Sequence, residues 1–392
     1  AEKKQETWTD RDSLFIAPAM EQIAPDSGFT PSLSWIGEAW DNVSGGSKTG
    51  SVYDSLFTLG LEQDLSKLGK ADSKWGSLGI TAFWYAQSKR LDDWQGRYVG
   101  NAGQTASNIF SSDMVRVFEI YYKNEFETEN GTFGFRVGQL AADEDFMGMD
   151  YSDLFLNANL GAIPTNACME LTDGSFAFSQ YSLATLGATV YWSNDKLDAI
   201  VGIYNGIAGK DSVDNHGFDY NLHDIAVWYQ VGMSYKLLGL NGRVQFGGNY
   251  LSGDFENKYD GSLVSDFYSF YIGVQQDLIA DSESNAILGG FVRMAYTPKE
   301  EISGCDKYID CGLNWFGPLP NRKDDILGVA FSAMKIGEDN YEYDNLIELT
   351  YRAQLTPAIA IQPVFQTYLN AKDETGDTNV AYVVGVRAEV NF

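Results

Sequence analysis

The side chains in this chain that could do chemistry are carboxylates and guanidiniums spaced along apolar segments. Arg116 and Glu119 stand three residues apart in VRVFEIYY, and Arg136 divides TFGFRVGQL. Glu38 lies between two tryptophans in SWIGEAWD, and Trp94 and Tyr98 share the stretch LDDWQGRYVG. A guanidinium near a carboxylate can clamp hydroxyl groups through paired hydrogen bonds, and an aromatic face can carry apolar C–H groups. The same charges can pair across neighbouring strands and merely hold shape. Two carboxylates could also act as the acid and base of a β-rich glycoside hydrolase. Other catalysis has no foothold, since the chain lacks a Gly-x-Ser-x-Gly elbow, a Gly-Lys-Ser/Thr loop and a His-Glu-x-x-His pair. With His216 and His223 the only histidines and Cys168, Cys305 and Cys311 off metal-site spacing, neither a metal nor a cofactor is expected. Asp211, Asp214 and Asp219 crowd one link without the spacing of a calcium loop, so a solvated acidic loop is expected. Cys305 and Cys311 would lie about 20 Å apart if extended, so a bridge between them needs a folded-back link and would leave Cys168 unpaired.

The elements that must position these groups are strands. Tyr53, Ser55, Phe57, Leu59 and Leu61 share one parity, and Val384, Val386, Ala388, Val390 and Phe392 do so at the end of the chain. Such period-two patterning recurs at 31–43, 51–65, 75–88, 113–124, 131–142, 181–193, 196–206, 223–236, 241–252, 266–278, 285–297, 307–316, 324–336, 344–355, 358–370 and 380–392. No apolar run approaches the 18–20 residues of a membrane-spanning helix, but a barrel strand needs only about 9–11. Net charge −27 over 392 residues argues against nucleic acid, while 23 Phe, 23 Tyr and 9 Trp argue against a disordered acidic chain.

Links after even-numbered segments are mostly compact, as at 193–196, 237–241 and 317–322; those after odd-numbered segments are longer, notably 89–112, 143–180, 207–222 and 253–265. This asymmetry, with Arg243, Arg293, Arg352, Arg387, Glu62, Glu348 and Glu389 opposite in parity to the apolar residues, predicts an all-β, 16-stranded antiparallel transmembrane barrel over residues 31–392. Gly and small residues on the charged face read as the lining of a wide lumen. Trp35, Trp40, Trp75, Trp84, Trp192, Trp228 and Trp315 are expected in interfacial girdles. Residues 1–30, opening on polar AEKKQETWTD, read as a mature N-terminal segment on the periplasmic side.

Three stretches carry a family resemblance: GFTPSLSWIGEAWDNVSGG with VYDSLFTLGLEQDLSKLG; VRVFEIYYKNEF, GTFGFRVGQLAADEDF and LFLNANLGAIP; and GLNWFGPLPNRKDDILGVAFS, LIELTYRAQLTPAIAIQPVFQTYLNA and VGVRAEVNF. In this order, over residues 28–392, they resemble the carbohydrate-selective porins of the OprB family. The resemblance implies an outer-membrane channel of a Gram-negative bacterium that passes glucose and other small sugars by passive diffusion, with loops folded inward to narrow the pore. By position, 89–112 and 143–180 would be those loops. Glu38, Trp94, Tyr98, Arg116, Glu119 and Arg136 are the expected solute-pathway residues. Arg116 and Glu119 have opposite parity, so both reach the lumen only if a bulge intervenes. Small sugars and outer-membrane lipid are the expected partners, the assembly a monomer or a homotrimer. A general-diffusion, cation-preferring porin without a sugar site is the nearest alternative, and the soluble hydrolase the more distant one.

Overall fold

The computed structural model describes residues 11–68, 74–101, 103–167, 169–218, 222–335 and 343–392. Its strands in chain order are β1 (Phe29–Ser44), β2 (Gly50–Asp64), β3 (Ser77–Gln87), β4 (Met114–Thr128), β5 (Gly131–Leu140), β6 (Phe176–Ala177), β7 (Thr185–Ser193), β8 (Leu197–Asn205), β9 (Ile207–Gly209), β10 (Ile225–Leu237), β11 (Leu240–Glu256), β12 (Leu263–Ala280), β13 (Ala286–Tyr296), β14 (Lys307–Phe316), β15 (Ile326–Lys335), β16 (Tyr343–Thr356), β17 (Ile359–Lys372) and β18 (Thr378–Asn391). Among the described residues, sixteen of these form one closed antiparallel ring in which β1 pairs with β18, while β6 and β9 make a separate small pair. The helices are short: α1 (Ile16–Ile23), α2 (Leu91–Trp94), α3 (Ala158–Gly161) and α4 (Pro164–Ala167). None among the described residues is long and apolar enough to cross a membrane.

The expected strand number and antiparallel order are both found. Several boundaries differ, and two of them have a plain physical reason. The segment expected to pair from residue 181 joins the ring only at Thr185, because a tight Gln180–Leu183 turn precedes it. There the Ser179 hydroxyl donates to the Leu140 carbonyl (2.5 Å) and accepts from the Thr185 N–H (2.8 Å). β4 runs on past 124 to Thr128, where it meets Gly131 across a two-residue turn.

The faces are inverted relative to a soluble barrel. Along β12, Phe267, Ser269, Tyr271 and Gln275 are buried inside, while Tyr268, Phe270, Ile272 and Val274 are exposed outside. An outer wall of exposed apolar side chains around a polar interior is stable only if the outside is lipid. Closure also follows the charge pattern: Arg387 of β18 faces Glu38 of β1, which faces Asp54 of β2. The bulge needed in β4 is present. Thr81 pairs with Glu119 and Ala82 with Val117, so Phe118 has no partner and Arg116 and Glu119 both turn inward.

Not every tryptophan faces lipid. Trp75, Trp84 and Trp315 are exposed, and Trp35, Phe57 and Trp84 form a stack with centroids 6.4 and 5.3 Å apart. Trp40 and Trp228, expected in a girdle, are instead buried inside: Trp40 lies over Gly385, and Trp228 packs on Phe146 and Phe178. Parity would have revealed this, since both share the inward parity of Glu38 and Gln230. Cys305 turns its sulfur toward Thr165 (3.5 Å) and the Lys307 carbonyl, whereas Cys311 lies among the outward residues of β14. A Cys305–Cys311 bridge is not formed; Cys168 lies outside the described residues.

The inverted wall predicts the cost of a charge on it. Ile272→Lys, on the outer face near the middle of β12, should destabilise the barrel in lipid vesicles by about 2–4 kcal/mol, measured by urea unfolding. A change within about 0.5 kcal/mol would mean that this face meets water.

Candidate functional site

Two of the long links enter the ring. Residues 141–167 and 169–184 cross the lumen and are held by polar side chains of the opposite wall. Glu348 of β16 is fully buried with no ion-pair partner among the described residues, and its carboxylate accepts the N–H groups of Leu156 (2.8 Å) and Asn157 (2.9 Å) and the Gln366 amide (2.9 Å). At the other end of α3, Arg293 donates to the carbonyls of Leu160 (2.5 Å) and Gly161 (3.2 Å) while paired with Asp310 (2.6 Å). One helical turn is thus clasped between an anion at its amino end and a cation at its carboxyl end, the polarity that its unpaired backbone groups require. Gln362 adds a bond to the Leu154 carbonyl (2.7 Å), and the Tyr308 hydroxyl one to that of Asn159 (2.6 Å).

Apolar contacts fit the same seat. Phe155 and Leu154 lie over Gly328, where an added Cβ would stand 2.5 Å from Leu154, and Met149 covers Gly273 at the same distance. These inward glycines are the floor for the loop and not the lining of an open lumen, which corrects their reading as width. The link 88–113 packs beside it: Ala158 N–H donates to the Thr105 carbonyl (3.0 Å), and Gln366 and Gln104 bond the same link to β17, β16 and β15.

Among the described residues, the loops leave three cavities that follow one another along the ring and share lining residues. At the long-loop end is one of about 880 Å³, in the middle one of about 550 Å³, and at the short-turn end another of about 550 Å³. Phe110, Ala158, Asn159 and Phe176 line both the first and the second; Glu144 lines both the second and the third. Two further grooves on the outer wall, between β11 and β16, are lined chiefly by lipid-facing apolar side chains and do not open into this run.

The expected pathway residues fall into three groups. Glu119 and Arg136 line the third cavity. Arg136 donates to both oxygens of Glu119 (3.0 and 3.2 Å) and of Asp145 (3.0 and 3.1 Å), and lies over the Tyr121 ring at 4.4 Å. Glu38 and Arg116 lie behind the cavity walls. Glu38 is buried, accepts the Trp40 indole N–H (2.8 Å), and holds Arg387, which lines the middle cavity and reaches Asn108 (2.5 Å). Arg116 spends its donors on Asn215, Ser182, Asp211 and Ser212, fastening Ser182 and residues 211–215 against the wall. Trp94 and Tyr98 line none of the three cavities. They stack at 6.4 Å in an apolar cluster, with the Trp94 indole on the Gly50 carbonyl (2.9 Å) and Lys48 and Lys89 over the Tyr98 ring. The two were placed by lying on an inward link, and a link's inner surface is mostly its own packing.

Sequence reasoning passed over Arg387, Asn108, Phe110, Phe176, Glu144 and Asp153, all of which line the middle cavity or its neighbours. Arg387 carried a signal as a mid-strand charge one barrel closure away from Glu38, and Glu144 and Asp153 carried one as carboxylates crowding the link 143–180. Asp143 also lines this cavity; burial pushes its carboxyl up to about 7, although the Tyr181 N–H on both its oxygens (2.8 and 3.0 Å) pulls the other way. Glu144 is raised too, by confinement first and then by Asp143, Glu119 and Asp145, though its side chain opens to lumen water, which moderates the rise.

Asp211 and Asp214 of the acidic link lie apart in role, Asp211 tied to Arg116 and Ser112; Asp219 lies outside the described residues. No group of three or more potential metal ligands is present among the described residues.

Comparison with known proteins agrees with this architecture. The high-pH structure of Pseudomonas putida OprB superposes with a TM-score of 0.81, at 16% identity over 99% of this chain and 100% of that one. The low-pH structure of the same protein gives 0.62, at 15% identity over 98% and 99%. A variant of the Rh. blastica porin gives 0.52, at 11% identity over 93% and 100%. No curated protein matches the chain. Residues 48–392 match the profile of the carbohydrate-selective porin, OprB family. That match takes in every barrel strand after β1, so the chain belongs to the OprB family of carbohydrate-selective porins: it is an outer-membrane channel and not an enzyme.

Proposed function

We propose that small sugars such as glucose diffuse along the three linked cavities, and that the middle one sets which solutes pass. The observation that carries this reading is the shared lining: Phe110 and Phe176 stand where the first cavity meets the second, beside Asn159, with Arg387 and Asn108 in the second. A sugar stripped of part of its water there meets aromatic faces for its C–H groups and amide and guanidinium groups for its hydroxyls. Hydrogen bonds made to a passing hydroxyl replace those lost to water, so entry is cheap and release is fast.

A single ring holds the whole run, so a monomer suffices for passage and a homotrimer would repeat it. The exposed apolar outer wall is the surface for outer-membrane lipid, and the α1 end the periplasmic side. The general-diffusion reading draws on the carboxylates along the lumen, which favour cations whether or not a sugar site exists.

Reconstitution in planar bilayers separates the two readings. Single-channel current that glucose lowers in a saturable way is expected; current unaffected by any sugar would leave a general porin. Releasing the inward loop should widen the path. Arg293→Gln with Asp310→Asn removes the charge pair together, so no orphaned charge remains, and takes away tethers worth about 1–3 kcal/mol each. Higher conductance and weaker discrimination between a mono- and a disaccharide are expected, and unchanged conductance would show that the loop does not limit the path. Selectivity among ions should also follow pH. The Asp143 carboxyl is ionised above about 7 and neutral below it, so the cation-to-anion permeability ratio should fall as pH is lowered from 9 to 5, with its midpoint near 7. A flat profile over that range would place Asp143 off the ion path.

A further inference from the structure

We infer that this channel selects by solute charge as well as by hydroxyl pattern, passing a protonated amino sugar more readily than a neutral sugar, and a uronic acid least readily. The inference rests on the sugar-path reading above and adds to it the charge class of the solute.

The first observation is that the cations of the path are already engaged. Among the described residues, the Lys and Arg side chains lining the three cavities are Lys123, Arg136, Lys258 and Arg387. Lys123 pairs with Glu62 (2.9 Å) and Arg136 with Glu119 and Asp145, while Arg387 is held by Glu38 and Asn108. Lys258 donates to the Ser303 carbonyl (3.0 Å) and lies over Tyr259 (5.0 Å). Of these four, Lys258 alone has no carboxylate partner, so a solute carboxylate meets one unpaired cation among the described lining residues.

The second observation is that the carboxylates are not matched in the same way. In the first cavity Glu170, Asp224, Asp254 and Glu256 make no ion pair with any described residue, and in the middle one neither do Glu144 and Asp153. These unmatched groups share the middle cavity and its entrance with Phe110, Phe176 and Asn159, so one solute can meet aromatic, amide and carboxylate together. A narrow aqueous path walled by low-dielectric protein concentrates their field, raising the local level of cationic solutes and lowering that of anionic ones. The upward pull on the Asp143 and Glu144 carboxyls has the same origin in part, since neighbouring carboxylates make each hold a proton more tightly.

The test is uptake of glucosamine, glucose and glucuronate, closely similar in size, into vesicles carrying the whole protein at pH 7.5. Glucosamine is expected to exceed glucuronate by about tenfold at low salt, and the ratio should shrink toward one at 1 M salt as the charges are screened. Asp254→Asn with Glu256→Gln should lower that ratio, with glucose uptake in the same vesicles reporting whether the variant still conducts. Equal uptake of glucosamine and glucuronate while glucose passes would overturn the charge selection and leave the sugar path standing. No uptake of any of the three, in vesicles that conduct ions, would overturn both.

Discussion

The carboxylate of Glu348 is the constraint on which the interior depends. Among the described residues it is buried with no cation bonded to it, and a bare charge in such a place costs several kcal/mol unless hydrogen bonds replace the lost water. The backbone N–H groups of Leu156 and Asn157, with the Gln366 amide, supply them. The wall therefore needs the loop as much as the loop needs the wall. Arg293 completes the arrangement from the other end of α3, where the carbonyls of Leu160 and Gly161 need a donor. A ring of sixteen strands would otherwise enclose a wide aqueous lumen; with α3 clasped in it, the opening is reduced to linked cavities.

The lumen charges divide by task. Arg243 with Asp198 and Arg352 with Glu389 are pairs that each bridge one intervening strand, β10 and β17, and hold the wall in shape. Arg116 and Arg293 fasten loops, and Glu38 aims Arg387 at the middle cavity. The shape-holding reading of such charges is realised by these pairs and tethers, while Arg136 and Arg387 are the arginines that line a cavity. An arginine that looks like a solute contact in the sequence is often a tether, because burying a guanidinium requires several acceptors and loop carbonyls are the nearest supply.

The ring was legible because its physics is local. Alternation of Tyr268, Phe270, Ile272 and Val274 with Ser269, Tyr271 and Gln275 needs only a strand with lipid on one side, and the sorting of short and long links follows from chain direction. The bulge at Phe118 was legible as well, from the conflict in parity between Arg116 and Glu119. The site was less so. Whether a loop side chain such as Trp94 or Phe110 faces the path depends on how the link folds back on itself, and neither period nor parity describes that. Glycines facing inward were read as open space, whereas Gly273 and Gly328 are covered by Met149, Leu154 and Phe155, contacts between residues far apart in sequence. Arg387 meets Glu38 only because the ends of the chain meet, a closure that points to a partner once it is drawn.

The most direct test of the account is whether the junction between the first two cavities is the solute path. A cysteine placed at Phe110, compared with the otherwise identical protein, can be followed in a bilayer while a small charged thiol reagent is added. The account predicts that labelling cuts the current and that glucose slows the labelling, because both occupy one passage. Labelling that proceeds at the same rate with or without glucose, and leaves the current unchanged, would put the path elsewhere and contradict it.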